Sequence, residues 1–117
     1  MANPPVGMAE KLRPLPPSVR LVDALGHADI YLLFATLRSE AESLFHSAMK
    51  HLSPSGAIWV AWPKRASKVE TDISENDLRD LFLGTGLVDN KVCAIDETWS
   101  GLRFVVRREL RASWGAP

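Results

Sequence analysis

Two near-continuous apolar runs constrain this chain most: "ADIYLLF" (Ala28–Phe34) and "AIWVAW" (Ala57–Trp62). A short unbroken apolar run reads as a strand buried on both faces, the pattern of a parallel sheet. Between the two runs lies a segment with helical spacing. Ser39 and Glu42 are placed for a capping box. Ala41, Leu44, Phe45, Ala48, Met49 and Leu52 then form one apolar stripe, and "SPSG" (Ser53–Gly56) marks its end. Strand, helix, strand in that order is the unit from which parallel sheets are built.

The rest of the chain extends that unit. Ser74 is placed to cap a second helix, and Asp77 suits the positive end of its dipole. Leu78, Leu81 and Phe82 would face inward, with Gly84 and Gly86 closing the helix. A strand Lys91–Ile95, a polar knot "DETWS" (Asp96–Ser100) and a strand Leu102–Arg108 follow. The short link between these strands permits only an antiparallel return. "SVRLV" (Ser18–Val22) is a further short strand candidate. Five of the eight prolines fall in the first 17 residues, which lack the amides that ladders need, apart from one helical turn near Ala9–Leu12. The expected organisation is a proline-rich arm (1–17), a single α/β domain (18–111) and a loose tail (112–117). The domain would hold a mainly parallel sheet with helices packed on it and a C-terminal antiparallel hairpin.

At 117 residues the chain is long enough for one core and too short for two. Fourteen basic residues balance fourteen acidic ones, which removes any global electrostatic case for nucleic acid or an anionic membrane surface. The single cysteine, Cys93, excludes an internal disulfide and a cysteine-rich zinc site, and fits a reducing cytoplasm. Its apolar neighbours predict a buried, inert thiol. His46 and His51 are five apart on a helix and so face differently, which makes a poor metal pair, and no metal is expected. His27, beside Asp29, reads as a turn or capping residue. The prolines of "MANPPVGMAEKLRPLPP" interrupt any signal-peptide core, and no run approaches a membrane span, so a soluble cytoplasmic protein is expected.

Three stretches, "LSPSGAIWVAWPKRAS", "TDIS" and "GLVDNKVCAIDETWSGLRFVVRRE", resemble the bacterial family known as domain of unknown function 3052. The resemblance runs over roughly residues 10 to 111. It rests on Trp62–Pro63–Lys64, Thr71–Asp72 and the "DETWS" knot. The family carries no established activity. In architecture the same stretch is similar to the C-terminal half of a Rossmann-type methyltransferase, which implies a partial Rossmann-like sheet. The resemblance also implies a further strand and helix before "LPPSVRLV"; here the proline arm stands in their place, either a family variant or a mis-set translation start. Such methyltransferases carry a glycine-rich cofactor loop after their first strand. The glycines here (Gly7, Gly26, Gly56, Gly84, Gly86, Gly101 and Gly115) are scattered, so no cofactor is expected. Without the first strand, Ala28–Phe34 becomes an exposed sheet edge, which would drive homodimer formation or strand exchange unless Val19–Val22 folds back over it.

Sites in open α/β sheets form at the carboxyl ends of strands. That rule gathers Lys64, Thr71, Asp72, Asp96, Glu97, Trp99, Ser100 and Arg103 on one rim. Two readings stand. In the first, Lys64 and Arg103 hold a small anion, Trp99 or Trp62 stacks on a planar ligand, and Asp96 or Asp72 serves as a base. In the second, Lys64–Asp72 and Arg103–Asp96 are ion pairs, Thr98 and Ser100 bond the turn, and Trp99 lids the core edge, so that the rim is a structural clasp. The second is preferred. It makes the chain a non-catalytic binding or interaction module; a methyltransferase-related enzyme is the alternative. Arg103, Arg107, Arg108 and Arg111 form a local basic stripe, for which a solvated sheet edge is preferred over nucleic acid.

Overall fold

The computed structural model describes Ala2, Pro5, Met8 and residues 28–82 and 85–113. These residues form β1 (Ala28–Phe34), α1 (Arg38–Met49), β2 (Leu52–Pro63), α2 (Glu75–Phe82), β3 (Leu87–Ala94) and β4 (Trp99–Val106). Short 3-10 turns follow β2 (Arg65–Ser67) and β4 (Arg108–Ser113). Most of the proline arm, the candidate strand Ser18–Val22, His27, Gly84 and the chain beyond Ser113 lie outside the described residues.

The fold is mixed α/β, with one four-stranded sheet in the order β1-β2-β4-β3. β1 and β2 pair in parallel, whereas β4 pairs antiparallel with β2 on one side and β3 on the other. The expectation of a mainly parallel sheet therefore holds for strand direction but not for strand pairing. β4 returns from the hairpin into the slot between β2 and β3, so it separates two strands that run the same way.

Helix α1 is capped differently from the sequence expectation. Its N-cap is Leu37, not Ser39, and Glu40 rather than Glu42 reaches back. Glu40 Oε1 accepts from the Leu37 and Thr36 amides (3.2 and 3.1 Å) and from the Thr36 hydroxyl (3.2 Å). One carboxylate thus satisfies amides of the first turn and suits the dipole there. Helix α2 is capped by Ser74 as expected, and Asp77 completes a capping box that was not expected: Asp77 N–H donates to Ser74 Oγ (3.2 Å), and Ser74 N–H donates back to Asp77 Oδ2 (3.1 Å). Arg79 then ties α2 to β3, through Nε to Asp89 (2.9 Å) and Nη1 to Glu75 (2.6 Å). The hydrogen bond to Asp89, then that to Glu75, hold the guanidinium pKa above its ordinary value.

The segment Ser53–Gly56 is not a loop after the helix. α1 ends at Met49, and β2 already starts at Leu52. The ladder advances from Ala28 to Ile30 on β1 while β2 advances from Leu52 to Ala57. Pro54 and Gly56 are therefore taken up in a bulge, the place where a strand tolerates them. The last two strands also start earlier than expected, at Leu87 and Trp99, and end earlier, at Ala94 and Val106. A bulge at Asn90 shifts the β3–β4 register between Asp89 and Lys91.

Both helices pack on the same face of the sheet. Tyr31, Leu33, Ile58, Val60, Trp62, Leu102, Phe104 and Val106 meet Ala41, Phe45 and Ala48 of α1 and Leu78 and Phe82 of α2 in one core. Phe45 and Phe82 stack at 3.7 Å between ring centres, and Phe104 meets both edge-on at 5.3 and 5.5 Å. Burying each such ring stabilises the fold by roughly 1.5–3 kcal/mol. The opposite face carries Ile30, Leu32, Trp59, Val105, Val88, Lys91, Arg103 and Cys93, placed there by the pairing register. Strands β1 and β2 are therefore buried on both faces only in part: Phe34 and Ala61 on the second face are 0% exposed, but Ile30 is 63% exposed and Trp59 is half-buried. Cys93 is half-buried rather than buried, because β3 is an edge strand and this face is partly open.

The outer edge of β1 is partly taken up by the chain's own start. Ala2 N–H donates to Leu32 O (2.9 Å), and Phe34 N–H donates to Ala2 O (3.0 Å). Met8 is buried beside Phe34 and Ala61.

Candidate functional site

The end of β2 and the β3–β4 turn are stitched together. Pro63 pairs with Trp99 in the ladder. One residue on, Lys64 N–H donates to Thr98 O (2.7 Å), and the Lys64 ammonium donates to Asp96 O (2.6 Å). Asp96 shapes the turn itself: its Oδ1 accepts from the amides of Thr98 and Trp99, both at 2.8 Å. This is an Asx turn, in which a short carboxylate replaces a backbone acceptor. The Ile95 amide closes the hairpin on Trp99 O at 2.8 Å. Trp99 is half-buried, and its ring meets Phe34 edge-on at 5.2 Å. The "DETWS" knot is thus a hairpin tip, clasped by Lys64 and laid over the sheet by its tryptophan.

Thr71 and Asp72 reach a different part of the molecule. Thr71 Oγ1 donates to Thr36 O (2.6 Å) and accepts from the Ile73 amide (3.1 Å). Asp72 Oδ1 accepts from the Arg38 amide (2.6 Å), at the first residue of α1. A carboxylate there binds an otherwise unsatisfied helix amide and meets the positive end of the dipole. The loop after β2 is therefore anchored at one end to the hairpin and at the other to the start of α1. Between the anchors, Ser67 Oγ donates to Lys64 O (2.6 Å), and Lys68 takes the left-handed conformation at φ 62°.

The expected rim therefore divides. Lys64, Asp96, Glu97 and Trp99 gather at the hairpin, with Glu97 exposed at its tip. Thr71 and Asp72 belong to the α1 end. Ser100 lies in the ladder between Trp62 and Ala94. Arg103 lies further along β4, between Trp59 and Lys91. The ion pairs Lys64–Asp72 and Arg103–Asp96 are not formed: Asp72 binds a helix amide, and Arg103 sits one ladder row after another away from the turn. Nor do Thr98 and Ser100 side chains hold the turn, which Asp96 does. Trp62 is buried on the helix side, so it cannot stack on a ligand.

A second constellation escaped the sequence reading. Trp59, Arg103 and Lys91 stand side by side on β2, β4 and β3, on the face opposite α1 and α2. Trp59 also lies against Gly101: its Cε3 is 3.1 Å from where a Cβ on that glycine would stand. Reading "AIWVAW" as buried on both faces hid the alternation that sets Trp59 apart from Ile58 and Val60.

No family model matches the chain, and no curated protein matches it. Among solved structures the chain is similar to the crystal structure of TnmH, with a TM-score of 0.51 and 15% sequence identity. The match covers 70% of this chain and 31% of TnmH, so the likeness is one of fold over less than a third of that protein. No helix among the described residues is long and apolar enough to cross a membrane.

Proposed function

We propose that the chain is a non-catalytic interaction module, built on part of a Rossmann-like sheet with a methyltransferase-like antiparallel ending. One observation carries this reading. The rim groups best suited to chemistry are engaged in holding the fold: Lys64 on Asp96 O, Asp96 on two turn amides and Asp72 on the start of α1. A general base or an anion-binding lysine must have its functional atom directed at a substrate. Among the described residues, Ile30, Trp59, Arg103 and Lys91 leave sheet surface partly exposed. Pairing with a second copy through a sheet edge belongs to the same reading.

A calorimetric titration with S-adenosylmethionine tests the reading against a methyltransferase-related enzyme. The expected result is no saturable heat at near-millimolar ligand. Saturable heat abolished by Lys64→Ala or Asp96→Ala, with folding retained, would replace the module by an enzyme.

A further inference from the structure

The sheet face opposite the helices has an unusual charge pattern for a neutral protein. The described residues directed to it are Ile30, Leu32 and Phe34 of β1; Ala57, Trp59 and Ala61 of β2; Trp99, Gly101, Arg103 and Val105 of β4; and Val88, Lys91 and Cys93 of β3. Arg103 and Lys91 are directly paired there, and Trp59 is directly paired with Arg103. No aspartate or glutamate is among those residues, although the whole chain carries fourteen acids against fourteen bases. Asp89 is not an exception, because it pairs with Phe104 on the helix side and binds Arg79 there. The face is therefore apolar along β1 and β2 and cationic toward β4 and β3.

We propose that this face docks an acidic amphipathic helix of another protein. The inference rests on the interaction-module reading and names the partner. A helix with its side chains is about 10–12 Å across, while neighbouring strands are about 4.8 Å apart, so one helix covers about two strands. Lying along β2 and β4, its apolar stripe meets the half-buried Trp59 and Val105. Acidic residues on one flank then reach Arg103 and Lys91. Parallel strand pairs are normally covered on both faces; here α1 and α2 cover one, while the other is covered at Phe34 and Ala61, where Met8 packs, and leaves Trp59 half-buried and Ile30 exposed. A second copy of the chain would set these cations against themselves. A single-stranded nucleic acid stacks on aromatic faces, whereas of the two indoles on this surface Trp59 is laid against Gly101 and Trp99 is turned edge-on to Phe34, and Ile30, Leu32, Val88 and Val105 beside them are area that apolar side chains fill better.

The test uses a synthetic helical peptide of about 16 residues, about 24 Å long, with a leucine stripe flanked by glutamates. Controls are a scrambled peptide of the same composition, the same helix with lysines for glutamates, and an oligothymidylate. The Cys93 thiol, which lies on this face, reports occupancy by its rate of maleimide labelling. The acidic helix should bind saturably and slow the labelling. Arg103→Glu and Lys91→Glu should each weaken binding about tenfold, equivalent to about 1.4 kcal/mol, with thermal unfolding unchanged. Equal binding of the scrambled or lysine peptide, or tighter binding of the oligothymidylate, overturns the proposal. So does a complete lack of peptide binding with Cys93 already inert, which would mean that the chain itself occupies the face. Cofactor heat in the calorimetric titration would overturn the module reading separately, whatever the peptide does.

Discussion

Phe104 and Val105 are neighbours on β4 and point to opposite sides of the sheet. Phe104 is fully buried between two other phenylalanine rings, while Val105 is half-exposed beside Ala57 and Val88. The same contrast holds over much of the sheet and ends where Phe34 and Ala61 lie buried with Met8. On the helix side Leu33, Ile58, Val60, Leu102, Phe104 and Val106 are all 0% exposed. On the other side Leu32, Trp59, Val105, Val88 and Cys93 keep part of their surface in solvent. One face stabilises the fold, and the other has apolar area beyond what the fold uses. Burial and exposure are thus separated by a single step of the pleat.

The sharpest way to break this comparison is to truncate the two neighbours. Phe104→Ala should cost about 3–5 kcal/mol, because it opens a cavity inside the Phe45–Phe82 stack. Val105→Ala should cost under about 1 kcal/mol, since a half-exposed valine loses little burial. Urea unfolding of both variants measures the difference. Similar losses from the two would mean that the face without helices is covered as tightly as the other.

Gly101→Ala probes a crowded place on the face opposite α1 and α2. An added Cβ would stand 3.0 Å from Ile95 Cδ1 and 3.1 Å from Trp59 Cε3. Both are side-chain atoms, so the clash is relieved by shifting Ile95 and tilting Trp59 rather than by moving backbone. A cost of about 1–2 kcal/mol is expected, within the usual range for overpacking. The Trp59 indole should also change its surroundings, visible as a shifted indole resonance. A neutral substitution with an unmoved indole would show that Trp59 does not rest on Gly101.

The amphipathic elements were legible in the sequence because burial there follows helical spacing. The stripe Ala41, Phe45, Ala48 and the Ser74 cap are both in place. The hairpin at Asp96–Trp99 was legible from its polar knot between apolar runs. The order of strands was not, because hydropathy does not say whether β4 lies outside β3 or between β3 and β2. The cap of α1 was misplaced for a local reason: Ser39 and Glu42 have the right spacing, but Leu37 takes the N-cap place, where the Glu40 carboxylate serves its amide. The rim was half legible. Strand ends correctly brought Lys64 to Asp96, but the expected ion pairs ignored how strongly amides at turns and helix starts attract carboxylates. Trp59 and Lys91 were missed because a run of apolar residues conceals which of its members face a helix and which face solvent.

The smallest expected effect lies at the far corner of the open face. Ile30 is 63% exposed although it stands in a strand and pairs with Ala57. Ile30→Lys removes an exposed apolar side chain and a favourable β-branch, and the new ammonium can stay in water, so the stability change should fall within about 0.5 kcal/mol. A loss above about 2 kcal/mol would show that Ile30 is covered in solution. The same variant bears on self-association, because a lysine on an edge strand opposes pairing with another chain. If β1 adds a strand from a second copy, sedimentation should show the wild-type chain associating at micromolar concentration and Ile30→Lys shifting it toward monomer. An unchanged association with an unchanged stability would remove the β1 edge from consideration. It would also leave the row Trp59–Arg103–Lys91 as the part of the open surface with a partner to find.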